Sequence, residues 1–135
     1  MKIKITIPAL LFCVLLALCA CSKNNASAGP GNTKDTSAPV VTISSPSNNQ
    51  TFAAGQTVQV MASATDNVKV TELHVHVLNK ETLALLRDIH SYPGDKSGVV
   101  QDSFTAQAGM SYTIKIIALD PSQNLGTVQV DIAVN

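Results

Sequence analysis

Three histidines stand in the second half of this 135-residue chain: His74 and His76, two apart, and His90. Imidazole nitrogen is the commonest protein donor to transition metals. Residues two apart on an extended strand point from the same face, so His74 and His76 would present together. His90 joins them only if the intervening hairpin brings it diagonal to His74. A turn centred on Lys80-Glu81 puts His90 opposite Thr71 and leaves no site. A register one residue removed puts Asp88 opposite His74 and allows one. The competing reading is three exposed histidines on a sheet surface. Oxygen donors form a second set: Asp66, Asn67, Asp120 and Asn124. Short Asp and Asn side chains also cap turns by accepting from nearby backbone N–H groups, which is the plainer reading. Tyr92, beside Pro93-Gly94-Asp95, is the one ring left free for a binding contact. A sugar-stacking platform normally wants more than one, and the chain has no Trp.

Catalytic patterns are missing. The three cysteines, Cys13, Cys19 and Cys21, all lie near the N-terminus. Beyond them there is no thiol nucleophile, disulfide or thiolate metal site. No Ser stands in an elbow motif with a His partner, and no Gly-rich loop could cradle phosphate. The chain therefore reads as a non-enzyme, with no required cofactor and with calcium as the alternative. Without Lys2 and Lys4, seven basic residues face nine acidic ones, which supports neither nucleic-acid binding nor a polybasic membrane patch.

The elements that must position these residues are strands. From Pro39 to Asn135, apolar residues alternate with polar ones, broken by turn clusters. The periodicity predicts strands over 40–44, 57–64, 70–78, 83–91, 98–106, 111–119 and 127–134. Val58, Val60, Ala62 and Ala64 share one face. So do Leu73, Val75 and Val77, then Tyr112, Ile114, Ile116 and Ala118. The Leu83-Ala84-Leu85-Leu86 opening of the fourth strand also fits a short helical turn. Strands with one apolar face need a second sheet to cover it. An all-β, immunoglobulin-like sandwich of about seven antiparallel strands meets the count and spacing over residues 39–135. Tyr112 fits a tyrosine corner, with its ring in the core and its hydroxyl bonded to upstream backbone.

Ser45-Pro46 near the start, Ala64-Thr65-Asp66-Asn67, Tyr112, and Ala118 and Asp120 with Asn124 resemble bacterial immunoglobulin-like and cadherin-like repeats. They look particularly like single-domain lipoproteins of uncharacterised function from Gram-negative anaerobes. The resemblance covers almost all of residues 39–135. It implies that Asp66, Asn67, Asp120 and Asn124 correspond to carboxylates and amides that bind calcium at the ends of cadherin-like domains. Calcium wants six to eight oxygen ligands, more than these four side chains offer. Where relatives usually carry Gly before the final Asn, this chain has Gln123.

The N-terminus is a different kind of segment. Lys2 and Lys4 precede Ile5–Ala20, an uncharged run of 16 residues, shorter than the 18 or more of a membrane-spanning helix. It reads as the apolar part of an export signal over residues 1–20. Leu18-Cys19-Ala20-Cys21 resembles the lipobox of bacterial lipoproteins, with Cys19 a tolerated residue at its place. The resemblance implies that Cys21 becomes the mature N-terminus and carries acyl chains. Ser22, rather than Asp, follows; in the Gram-negative sorting logic this favours the outer membrane, with the membrane face left open. Residues 22–38, rich in Ser, Asn, Ala and Gly with no large apolar residue, complete a linker over 21–38. As a flexible coil these 17 residues span about 20–25 Å.

The function this implies is a non-enzymatic, lipid-anchored envelope module that binds or scaffolds through protein contacts with an envelope partner. The alternative is an accessory lipoprotein that binds a glycan or a metal such as calcium.

Overall fold

The computed structural model describes residues 33–135. The export signal over 1–20, Cys21 and the first part of the linker lie outside the described residues. Eight strands form: β1 (Val40–Ser45), β2 (Gln50–Phe52), β3 (Thr57–Val70), β4 (Glu72–Asn79), β5 (Leu85–Ser91), β6 (Asp95–Thr105), β7 (Ser111–Leu119) and β8 (Leu125–Val134). They make a three-stranded sheet, β1-β3-β6, and a five-stranded sheet, β2-β8-β7-β4-β5. Among the described residues there is no helix.

The alternation in the sequence is the alternation of burial. On β3, Val58, Val60, Ala62 and Ala64 are buried; Leu73, Val75 and Val77 are buried on β4, and Tyr112, Ile114, Ile116 and Ala118 on β7. Together with Val100, Ile132 and Phe52 they form one core between the sheets. Fully burying an Ile or Val contributes about 1.5–3 kcal/mol, so these three strands carry much of the fold. The tyrosine corner forms as expected. The Tyr112 hydroxyl accepts from the Gln107 N–H at 3.1 Å, and its ring meets Phe104 edge-on at 5.0 Å.

Three features depart from the sequence reading. The sandwich has eight strands rather than seven, and β2 runs parallel to β8. Three residues are too few to show alternation. The strand is held by the Asn49 N–H to Asp131 O at 2.7 Å, by Asn48 Oδ1 accepting from the Asp131 N–H at 3.0 Å, and by burial of Phe52. Second, β3 continues past Ala64 to Val70, with its register against β6 shifted between Thr65 and Val70. Third, Leu83 is neither strand nor helix. It adopts φ +58° in the β4–β5 turn, and the strand begins at Leu85.

Two backbone positions close the end of the sandwich near the linker. Gly126, at the start of β8, lies under Pro39; a Cβ there would collide with the Pro39 carbonyl oxygen. Gln123 closes the β7–β8 turn at φ +67°, donating its N–H to Asp120 O at 3.2 Å. The position where the resemblance implies Gly thus keeps the left-handed geometry with a side chain attached. That geometry costs about 1–2 kcal/mol for a non-Gly residue. Glycine would relieve it while adding entropy to the unfolded chain. Gln123→Gly should therefore stabilise the domain by about 0.5 kcal/mol, a rise of about 2–4 °C in thermal unfolding followed by circular dichroism.

Candidate functional site

Polar residues gather in two places. The first is the end of the sandwich near the linker. Asp120 follows β7 and is fully buried. Its Oδ1 accepts from the Asn124 N–H and its Oδ2 from Asn124 Nδ2, each at 2.7 Å. Asp66 sits at the irregular part of β3, where its Oδ1 accepts from the N–H groups of Val68 at 2.8 Å and Lys69 at 2.7 Å. To this extent the turn-capping reading holds. It does not account for Asp66 Oδ2, which is buried and has no hydrogen-bond partner among the described residues.

A third carboxylate completes the cluster. Asp35, in the segment leading to β1, brings one oxygen within 4.8 Å of oxygens of Asp66 and Asp120, and these two oxygens lie equally close to each other. The Ser37 N–H donates to Asp35 Oδ1 at 3.0 Å, and Asn67 Nδ2 donates to Oδ2 at 3.2 Å. These two donors, the backbone one first, hold the Asp35 carboxyl below the usual carboxylate range. Asn124 Nδ2 also donates to Asp35 O at 3.0 Å and Ser37 O at 3.3 Å, so residues 35–37 lie against the domain. The structure thus unites all four residues singled out in the sequence. However, Asn67 and Asn124 turn their amide nitrogens to the carboxylates and act as donors. Asp35 had no sequence signal, because its neighbours have the composition of a linker.

The second place is the solvent face of the five-stranded sheet. Burial of Leu73, Val75 and Val77 turns Glu72, His74 and His76 of β4 outward. The hairpin pairs His74 with His90 and His76 with Asp88. Neither register expected from the sequence is the one observed. The turn is longer than a Lys80-Glu81 centre allows. Asn79 Oδ1 accepts from the N–H groups of Glu81 and Thr82, the Leu83 N–H donates to Asn79 O, and the Asn79 N–H donates to Ala84 O.

The outcome is three imidazoles and two carboxylates on one surface. The His74 and His90 ring centroids are 4.1 Å apart, and those of His74 and His76 6.1 Å. His90 Nε2 stands 2.9 Å from Asp88 Oδ1, His76 Nε2 3.3 Å from the same oxygen, and His74 Nε2 2.9 Å from Glu72 Oε2. The hydrogen bond with His90, aided by the charge of the histidines, holds the Asp88 carboxyl below its ordinary range. Tyr92 is 68% exposed, and its hydroxyl lies 3.5 Å from His90 Nδ1.

On the far side of β5, a cleft of about 490 Å³ opens beside β6, lined by Leu86, Arg87, Phe104, Met110 and Tyr112 among others. Arg87 crosses between the two sheets there. Its Nε and Nη2 donate to the two oxygens of Asp102, each at 2.9 Å. This hydrogen-bonded pairing raises the Arg87 pKa further.

A family of known domains, described as Bacterial Ig domain, matches residues 39–128. The chain belongs to this family. Among solved structures, the bacterial Ig domain is similar to the fibronectin(III)-like modules of Clostridium thermocellum CbhA. Identity is 20%, over 70% of this chain and 94% of that one, with a TM-score of 0.52. It is also similar to a superoxide reductase (neelaredoxin) from Ignicoccus hospitalis. Identity there is 15%, over 71% and 80% of the two chains, with a TM-score of 0.54. Identities this low show a shared sandwich and nothing about activity. Among curated proteins, none matches this chain.

Proposed function

We propose that this bacterial Ig domain is a lipid-anchored, non-enzymatic module of the cell envelope, tethered to the outer membrane through Cys21 and acting through protein contacts. One juxtaposition carries the reading: the Ig family match over residues 39–128 stands behind Leu18-Cys19-Ala20-Cys21 and a linker. Each buried acyl methylene contributes about 0.8 kcal/mol, so several chains on one residue hold where one would not. Contact with a protein partner is supported by β5. It ends the five-stranded sheet, and Leu85 and Leu86 on it are exposed. An edge strand of this kind can accept an extended segment of a partner as an added strand.

A second reading, a calcium-binding envelope module, is favoured by Asp66 Oδ2, unpartnered among the described residues, beside Asp35 and Asp120. Three like charges at this spacing repel, and a hard divalent cation with oxygen ligands would relieve them. Water and backbone carbonyls would supply the remaining ligands.

Two outcomes follow. Cys21→Ala should move the protein from the membrane pellet to the soluble fraction of its host; a variant that still sediments with membranes contradicts the anchor. Asp66→Asn keeps an oxygen for the Val68 and Lys69 N–H groups while removing one charge. In chelator, its thermal midpoint should rise by a few degrees above the parent. Millimolar calcium should raise the parent's midpoint and leave the variant's unchanged. No calcium response in the parent would discard the second reading alone.

A further inference from the structure

We infer that His74, His90 and Asp88 form a binding site for a divalent transition metal ion of the zinc class on the solvent face of the β4–β5 hairpin. One ligand atom from each of the three lies within 4.8 Å of the others. Zinc–nitrogen and zinc–oxygen bonds of about 2.0–2.1 Å in a tetrahedron place ligand atoms about 3.3 Å apart. The Asp88–His90 contact, at 2.9 Å, is already slightly inside that spacing. The other two pairs have to close from at most 4.8 Å to that spacing.

Charge and chemistry point the same way. Glu72 and Asp88 bring two carboxylates to this face against the one ammonium of Lys115, which pairs opposite His76, and a divalent cation is drawn to the carboxylate side. Two nitrogen donors with one carboxylate suit zinc, copper or nickel, whereas calcium and magnesium want oxygen alone. The site is also pre-positioned. His74 rides on a strand whose alternate residues, Leu73 and Val75, are fully buried, with β5 on one side and β7 on the other. Sites on such strands hold their geometry better than sites on loops.

Neighbouring groups supply the outer support that metal-bound histidines usually have. The Tyr92 hydroxyl stands by His90 Nδ1, which leaves Nε2 for the metal. Glu72 stands by His74 Nε2, which leaves Nδ1 for the metal, and His76 Nε2 stands by Asp88 Oδ1. The His74, His76 and His90 side chains are 14%, 26% and 39% exposed, so an ion has access from solvent. Three protein ligands leave a fourth position open to water or to a donor from a partner.

The test is calorimetric titration of the full chain in detergent, without a polyhistidine tag and with its thiols alkylated, using zinc chloride. One ion should bind per chain. His74→Ala and His90→Ala should each weaken binding about 100-fold, and Asp66→Asn, in the other cluster, should leave it unchanged. Cobalt(II) should give the visible absorption of a four-coordinate ion in the parent and lose it in His90→Ala. Should His74→Ala fail to fold, His90→Gln on the exposed edge strand carries the test alone. The proposal is overturned if the parent takes up no zinc. It is equally overturned if the histidine variants bind like the parent, or if Asp66→Asn rather than a histidine change removes binding.

Discussion

A strand offers its side chains to two faces in strict alternation, and burying one face settles the other. In this domain the constraint operates most strongly on β4. Leu73, Val75 and Val77 are driven between the sheets by the loss of apolar surface from water, and nothing in the strand allows a compromise. Glu72, His74 and His76 are consequently fixed outward. Slipping β4 by one residue would bury two imidazoles and a carboxylate and expose three aliphatic side chains. The energetic gap between those arrangements is many times the worth of any single polar contact on the surface. The imidazole face is therefore a by-product of core packing, held with the rigidity of the core.

The other polar cluster is built on a different logic. Asp120 continues the inward parity of β7 one residue past its end and is fully buried, and there it closes the β7–β8 turn, with both oxygens bonded to Asn124. Asp66 does the same for the irregular stretch of β3. Two turn-closing carboxylates brought to one end of a sandwich place an oxygen of each within 4.8 Å of the other. Asp35, delivered by the segment that precedes β1, makes that space more negative. The segment's attachment runs largely through Asn124, whose amide reaches the Asp35 and Ser37 carbonyls. Residues 35–37 thus lie at the acidic end, while the imidazoles occupy the face of the five-stranded sheet.

What could be read in the sequence was whatever depends on local period. The alternating runs on β3, β4 and β7 announced their buried faces. Tyr112 announced its corner, and Asp66 and Asp120 their turns. What could not be read depended on chain ends meeting. β2 is three residues long and exists only because β8 is there to pair with it. Asp35 sits in a stretch with no large apolar residue, and beyond the nearby Ser37 N–H it is Asn67 and Asn124, far away in sequence, that give it a place. The β4–β5 register is not legible in the sequence because the turn is set by Asn79 bonding to Glu81 and Thr82 and by Leu83 in a left-handed conformation. A bulky aliphatic residue carries no sequence signal for that geometry.

The pairing of β4 with β5 is the point on which the arrangement of the sheet face turns, and solution NMR tests it directly. Backbone nuclear Overhauser contacts across the hairpin should join His74 to His90 and His76 to Asp88. Contacts joining His74 to Asp88, or Thr71 to His90, would contradict the account.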